Sequence, residues 1–600
     1  LGELLGRKDR LLQDGPERRR RELSEWLLPT VTSAVTTNRD DEVVVAWLGV
    51  LIPMVPHLAK DVVSRDVLKL ALAKGEVAET VQSRGICCRL LGTIAPHIDR
   101  QLIMDTFFHK SMALCQDTDY QVRICMAQQL EPIARAVGAQ TTIDKVIPEA
   151  MELLNDEESS VQAAALESVV GVLDMFPREF RREKVVPIIK EFVHNTSDEV
   201  MAECVAAQFG RIIGAVAEDL TDPEVADICG VYCELARSPE EELRIQCAAG
   251  AAEVAKSLGA KRFFALCYDA LMEMAQDRSP IVKGEVARGL LPLGKAAGKA
   301  LSAQYLRDPF MLLLEDGAEE VSHPLLENLV GLLGLYEVAG EAERERVYED
   351  ILPALLAAQG MVGARDWRHH KLLIEAFKAF PDFFSSDAIF DHVVPLCFKY
   401  MQEGVQPVKD AAAKAVCVLM RRSRRQSNRR EICHRIVREL GRGQSFWDRA
   451  LYVTCCGHIM ELCSSRFFKE MFLDACFDAL ADPVANVRMR SVSLLPGLKR
   501  SVKLPDDVEA LDRINNFFNS LQEDKDRDVL IALDRVEREY KAANSQQAGR
   551  GPLSEWQRKD RGKEEEESEM LVREAEDNKK RFEEKQKTGA GGAAGGRGGG

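Results

Sequence analysis

The chain has 600 residues, 46% hydrophobic and only 6% aromatic, and its 80 Lys and Arg against 96 Asp and Glu leave a net charge of −16. An acidic balance argues against a dedicated nucleic-acid binder, which carries a basic face, and for protein partners. The longest uncharged run, Val43 to Ala59, is interrupted by Pro53, Pro56 and His57 and falls short of a membrane span.

Residues 1–37 include the solvated basic run Arg18 to Arg21 and a helical stretch around Trp26, Leu27 and Leu28, read as a partial repeat or cap. No signal peptide is visible in a sequence that begins at Leu1 and not at Met. Residues 38–540 then repeat one skeleton. It is clearest at CQDTDYQVRICMAQQL, Cys115 to Leu130: an acid, four variable residues, Val, then a basic or amide residue. The same spacing returns at Asp156/Val161, Asp277/Val282, Asp316/Val321, Asp482/Val487 and Asp524/Val529. With the aliphatic positions placed near 43, 81, 122, 161, 200, 243, 282, 321, 367, 408, 447, 487 and 529, the period is about 40 residues, that of HEAT or armadillo repeats.

Within one unit, Val122, Cys125, Met126, Leu130 and Ile133 fall on one helical face. A first apolar-faced helix precedes them, and the short polar run QDTDY makes the two helices antiparallel, its Asp side chains placed to accept free N–H groups of the second helix. One pair cannot bury its face alone, so units must stack. Prolines about 13 residues before the aliphatic position, at Pro148, Pro187, Pro309 and Pro395, predict a kinked first helix, which favours HEAT over armadillo. The expected fold is all-α: a HEAT-repeat solenoid, a right-handed superhelix of about 12–13 helix pairs without a sheet. Val122, Val161, Val282 and Val487 are expected to be buried.

Two turns depart from the pattern. At ARDWRHH and GQSFWDR, Trp367 and Trp447 fall on or beside the aliphatic position. The simpler reading is a large core residue at each. The alternative is a set of protein-binding anchors, Trp367, Arg368, Phe446, Trp447 and Arg449, on the ridge of turns inside the repeats. Between them, Met420 to Arg435 is the one basic island, read first as a solvated connection and second as a patch for an acidic partner or for nuclear import. Ser423 and Ser427, each following arginines, are candidate phosphorylation sites whose charge would neutralise it.

Residues 541–600 change character. Between Ser554 and Lys587 there are 12 acidic and 10 basic side chains and few core formers, and GAGGAAGGRGGG ends the chain. This tail is expected to be largely disordered, or at most a solitary polar helix without effect on the stability of the array.

Catalytic and cofactor signatures are missing. GKAAGKA from Gly294 has the wrong glycine spacing for a phosphate loop, and no GxSxG, HExxH or strand-borne GxGxxG occurs. The sixteen cysteines include no CxxC; Cys87, Cys88, Cys125, Cys204, Cys247, Cys417, Cys455 and Cys456 sit in apolar-faced second helices as small hydrophobes. Cys455, His458 and Cys463 share one helical stretch with no second cluster, so packing is preferred to metal binding. Neither a cofactor nor an enzyme is expected, and so many reduced thiols fit the cytoplasm, with a nuclear pool allowed.

The strings TVQSRGICCRLLG (Thr80 to Gly92), LCQDTDYQVRICMAQQLEPIARAVG (Leu114 to Gly138), FPDFFSSD (Phe380 to Asp387), VVPLCFKYMQEGVQPVKDAAAKA (Val393 to Ala415) and DPVANVRMRSVSLLPGLK (Asp482 to Lys499) carry a resemblance. With these, the chain resembles the regulatory subunit 4 family of serine/threonine protein phosphatase 4, which are HEAT-repeat scaffolds. The resemblance implies a non-catalytic subunit that binds a phosphatase catalytic subunit, of type 4 or 2A-like, and directs or restrains it in the cytoplasm, with neither nucleic acid nor membrane as partner. The basic island and the glycine-rich end lie outside the matching strings. The competing expectation is an importin-like HEAT adaptor for basic cargo; a microtubule-binding array is disfavoured by turns that are mostly acidic.

Overall fold

The computed structural model describes residues 23–38, 40–336, 348–361, 366–543, 546–547 and 554–591. The basic run Arg18 to Arg21 and the glycine-rich end after residue 591 lie outside them. The chain forms two compact units, Leu1–Phe310 and Met311–Gly600. Each is a stack of antiparallel helix pairs. Second helices open at Asp41, Val81, Tyr120, Ser159, Glu199, Glu241, Pro280, Glu319, Trp367, Gln406, Phe446, Ala485 and Arg527, about 40 residues apart. Apart from a two-residue parallel pairing of Lys503–Leu504 with Gln546–Gln547, the described residues hold no strand. The architecture is the HEAT repeat.

In the first unit, helices α1 (Phe108–Cys115) and α2 (Tyr120–Ala127) make one pair. Farther on, three long second helices pack side by side: α3 (Glu199–Val216), α4 (Glu241–Leu258) and the part of α5 (Pro280–Tyr305) that precedes its break at Gly298. Their shared face buries Phe209, Tyr232, Phe263 and Val282 completely, and the Tyr232 hydroxyl donates to the Cys247 carbonyl at 2.8 Å. Connections between repeats shrink to one residue at Gly138, Gly259 and Gly298, whose φ of 84°, 80° and 77° only glycine adopts without strain. Four residues after two of these glycines a hydroxyl clips the corner: Thr142 donates to the Ala134 and Gly138 carbonyls, and Ser302 to those of Gly294 and Gly298.

Of the four prolines expected to kink the first helix, three follow a widened turn, while Pro309 stands near the start of the helix Arg307–Leu314. Before Pro148, Pro187 and Pro395 the helix widens to an i→i−5 turn, in which the N–H of Ile147, Val186 and Val394 reaches the carbonyls of Thr142, Arg181 and Ile389. A ring without an N–H is thereby accommodated without ending the helix.

In the second unit, α6 (Trp367–Phe377), α7 (Gln406–Arg422) and α9 (Phe446–Leu462) are successive second helices, with α8 (Gln426–Arg435) and α10 (Ser465–Leu480) as first helices beside them. The last pair ends in α11 (Arg527–Ala542). Residues 555–591 form a further helix, α12 (Glu555–Gly591), which docks on this unit instead of being disordered. Its Asp560 is buried, Met570 meets Arg421 and Val572 is exposed.

The inward position of the motif is the third residue after the N-cap. Val122, Val161, Val282, Val321, Val487 and Val529 occupy it, each with no exposed surface. Where the acid is itself the N-cap, the aliphatic position moves. Asp198 caps α3, so Met201 is buried and Val200 is exposed.

Two residues before the N-cap stands the acid of the motif, and one residue past the inward position stands its arginine. Asp156 Oδ1 accepts the N–H of Glu158 at 3.1 Å, closing the turn, while the carboxylate takes two bonds from Arg123 of the preceding pair, Nε at 2.7 Å and Nη2 at 2.8 Å. Arg123 Nη1 also holds the Asp117 carbonyl of its own turn at 3.0 Å. The same double tie joins Arg84 to Asp117 and Arg244 to Asp277 in the first unit, and Arg449 to Asp482 and Arg488 to Asp524 in the second. These pairs are about nine-tenths buried, and planar bidentate geometry favours Arg over Lys. Burial opposes the charge on Asp156, but the bonds from Arg123 and the Glu158 N–H outweigh it and hold the carboxyl below its ordinary 3.8.

Arg123→Ala leaves Asp156 buried without its cation and should cost about 3 kcal/mol, read by urea unfolding fitted to a nearest-neighbour scheme. Because the Asp156 pKa is depressed on folding, the contribution is complete above about pH 4 and is lost as pH falls through the folded value. A double-mutant cycle with Asp156→Ala that shows no coupling would make this arginine a bystander.

Candidate protein-docking surfaces

Large apolar residues are exposed both along helices, as at Val50, Leu266 and Leu312, and at the turns. On the turns inside the repeats, large apolar residues are exposed at equivalent places: Val77, Tyr120, Val200 and Ile281 in the first unit, Val405 and Trp447 in the second. All lie between the turn and the second residue of a second helix.

The tryptophans belong to this set and not to the core. Trp447 is the second residue after the Ser445 N-cap, is 53% exposed and packs its ring against Phe446 at a centroid distance of 4.5 Å. Trp367 follows the Asp366 N-cap directly and is half-buried, with the exposed Arg368 guanidinium 4.7 Å above its ring. Arg449 is different: Nε and Nη2 reach Asp482 at 2.5 and 3.1 Å and Nη1 reaches the Gly443 and Gln444 carbonyls, so it ties repeats together and is withdrawn as an anchor.

At the start of α6 the inward position is filled by His369, and around it is a polar cluster that the sequence pattern did not signal. Asp366 accepts the His369 N–H at 3.0 Å and lies 3.2 Å from His323 Nε2; His369 Nδ1 lies 3.2 Å from the Ser322 hydroxyl. Ligand atoms of His323, Asp366 and His369 fall within 4.8 Å of one another, a spread wider than a tight metal shell, and they satisfy each other as a helix cap. Burial pushes His369 down to about 4, with Asp366 opposing and His370 and His323 adding to the shift.

The basic island is not a solvated connection. Arg422 pairs with Asp382, Arg425 with Asp387 and Arg430 with Glu470, and Arg435 lies 3.9 Å over the Phe398 ring. Two more arginines meet α12: Arg421 with Glu566 at 2.7 Å and Arg429 with Glu574 at 3.6 Å. Ser423 is buried and its hydroxyl has no hydrogen-bond partner. Ser427 is exposed on the first turn of α8.

No protein-family model matches the chain. Among curated proteins it is 29% identical over 538 residues to serine/threonine-protein phosphatase 4 regulatory subunit 4 of Mus musculus, covering 83% of this chain and 61% of that protein. The Homo sapiens counterpart is 28% identical over 530 residues, with 83% and 60% covered. The chain is similar to phosphatase 4 regulatory subunit 4. It spans about three fifths of the length of these relatives. Among solved structures, Kap95p from a study of its binding to RanGDP aligns at a TM-score of 0.55 and 10% identity over 86% of this chain and 66% of that one. Yeast importin-beta (Kap95p) aligns at 0.47 and 11%, with 87% and 72% covered. At such identity the first likeness shows the shared fold alone.

Removing residues 554–600 should lower the unfolding midpoint of the second unit by several degrees and speed amide exchange at Gln426, Ser464 and Ser465, the N–H groups that α12 covers; calorimetry and hydrogen exchange check this, and no change would mean that α12 does not hold its place. At α6 the folded protein keeps His369 neutral, so the unfolded chain takes up a proton first. Stability there should be complete above about pH 6.5 and fall towards pH 4, and His369→Gln should remove that slope from the near-ultraviolet signal of Trp367.

Proposed function

We propose that this chain is a non-catalytic regulatory scaffold that binds a serine/threonine protein phosphatase catalytic subunit, of type 4 before a 2A-like one, and controls its activity or targeting. The observation that carries the reading is the relationship to phosphatase 4 regulatory subunit 4 across 83% of the chain. The surface agrees with it. Turns fixed by the Arg–Asp ties present apolar side chains at regular intervals, a preorganised row that needs little reordering on binding. The Phe446–Trp447 pair and the Trp367–Arg368 pair have the composition of interface anchors. We place the complex in the cytoplasm, in keeping with sixteen unpaired thiols, fourteen of them buried. An importin-like role has only the fold in its favour.

The test is co-purification of the type 4 catalytic subunit with the full chain and with a Phe446→Ala, Trp447→Ala variant that keeps its circular dichroism. Truncating an anchor pair costs about 2 kcal/mol or more, so recovery should fall at least about tenfold. Undiminished recovery, also after Trp367→Ala and Arg368→Ala, would remove this ridge as the platform. Wild-type chain that retains no phosphatase catalytic subunit would overturn the function itself.

A further inference from the structure

Turns between repeats form the opposite ridge of each stack, and each exposes the C-terminus of one helix beside the N-terminus of the next. Helix α12 runs over three of them in the second unit, near residues 422–426, 462–465 and 501–503, and reads their polarity. Asp560 accepts both the N–H and the hydroxyl of Ser465, at 2.7 and 2.8 Å, and Glu567 accepts those of Ser464, at 2.8 and 2.5 Å, at the N-terminus of α10. Glu574 takes the N–H of Gln426 at the N-terminus of α8, at 2.8 and 3.0 Å. Lys563 donates to the Met460 carbonyl at the C-terminal end of α9, at 3.0 Å. Acids therefore meet helix N-termini and the lysine meets a C-terminus, as the helix macrodipole requires. Asp560, Lys563, Glu567 and Glu574 follow one another at i, i+3, i+7 and i+14, a single face.

What the hydrogen bonds of the ridge read is thus a carboxylate pattern on a helix, with Met570 and Leu571 of α12 beside Met420, Phe467 and Met471. The fit is incomplete. A cavity of about 310 Å³ remains between α12 and the ridge, lined by Arg429, Arg430, Arg466 and Met471 among others, and Arg466 comes only to 4.0 Å of Glu564. The ridge offers more room than its occupant fills and holds Arg466 only loosely, and contacts between charged groups at a rim are the kind that salt and competitors displace.

We propose that this inter-repeat ridge is a docking site for acidic helical segments, that α12 occupies it as an internal ligand, and that an acidic helix of a partner protein binds there by displacing α12. A tethered occupant competes at a high effective concentration, so α12 sets a threshold that a partner must exceed. This surface is separate from the turns inside the repeats and stands or falls independently of the phosphatase reading.

The probe is a labelled peptide of residues 554–579, offered to the full-length chain and to a full-length Asp560→Asn, Glu567→Gln, Glu574→Gln variant in which α12 is released. The peptide should bind the variant at least about tenfold more tightly than the wild type, and Arg421→Ala with Arg429→Ala should abolish that binding. If the triple variant loses its circular dichroism, Lys563→Glu serves as the releasing change. A second probe, an alanine-based helix with carboxylates only at the three acid positions of the pattern, should bind the released variant and its scrambled version should not. Equal binding of the first peptide to both chains, or none to the released chain, overturns the proposal. Binding of the native peptide without the alanine-based one would make the ridge a private latch and overturn the role of a partner.

Discussion

Every helix end carries backbone groups without an intrahelical partner, and an array of some two dozen short helices multiplies that problem at its turns. The protein meets it with ionic groups that do two things at once. On the turns inside the repeats a single aspartate closes the turn, through the N–H two residues on, and receives the guanidinium of the previous repeat. Satisfaction of the helix end and attachment to the neighbour are one interaction, which is why acid, inward residue and arginine recur at fixed offsets.

Stability in such a stack is a sum of repeat and neighbour terms, and the Arg–Asp ties belong to the neighbour terms. They are interrupted where the sequence departs from the motif. At Gln162 the amide still holds the Asp156 carbonyl of its own turn, at 2.7 Å, but the guanidinium fork is missing. At His323 the link to Asp366 passes through an imidazole, at 3.2 Å. These positions make the array unequal along its length, and the second responds to mild acid through its neighbour His369, which burial holds neutral.

Much of this was legible in the sequence and some could not have been. The period, the helix pairs and the burial of Val122, Val161, Val282 and Val487 follow from spacing, since apolar periodicity is a local property. The register failed where the acid changed its job. The offset of five holds when the acid precedes the N-cap by two; with Asp366 as the N-cap, the inward residue is His369 and Trp367 turns outward. At Gly443 no acid is present, and Trp447 falls one residue short of the inward position. The Arg–Asp ties did leave a signal, an arginine and an aspartate 33 residues apart at Arg84, Arg123, Arg244 and Arg449, but a search for repeats compares like with like and passes over such pairs. Helix α12 was hidden because its composition is balanced and poor in apolar residues; what docks it is the segregation of Asp560, Glu567 and Glu574 on one face.

The two ridges consequently present different chemistry, although both are built from turns. Inside the repeats the arginines are tied down and their charges neutralised, so what faces outward is apolar: Tyr120 and Ile281 in one unit, Val405 and Trp447 in the other. Between repeats of the second unit Asp382, Asp387 and Asp507 pair with Arg422, Arg425 and Lys469, but the N–H groups of Ser464, Ser465 and Gln426 take their carboxylates from α12. A partner on the first ridge is selected by shape and apolar anchors, with weak dependence on salt, while a ligand of the second is selected by charge spacing along a helix and weakens as salt screens it. The same constraint, satisfied from within on one side and from an added helix on the other, divides the surface of the second unit into a site that is always open and a site that is already filled.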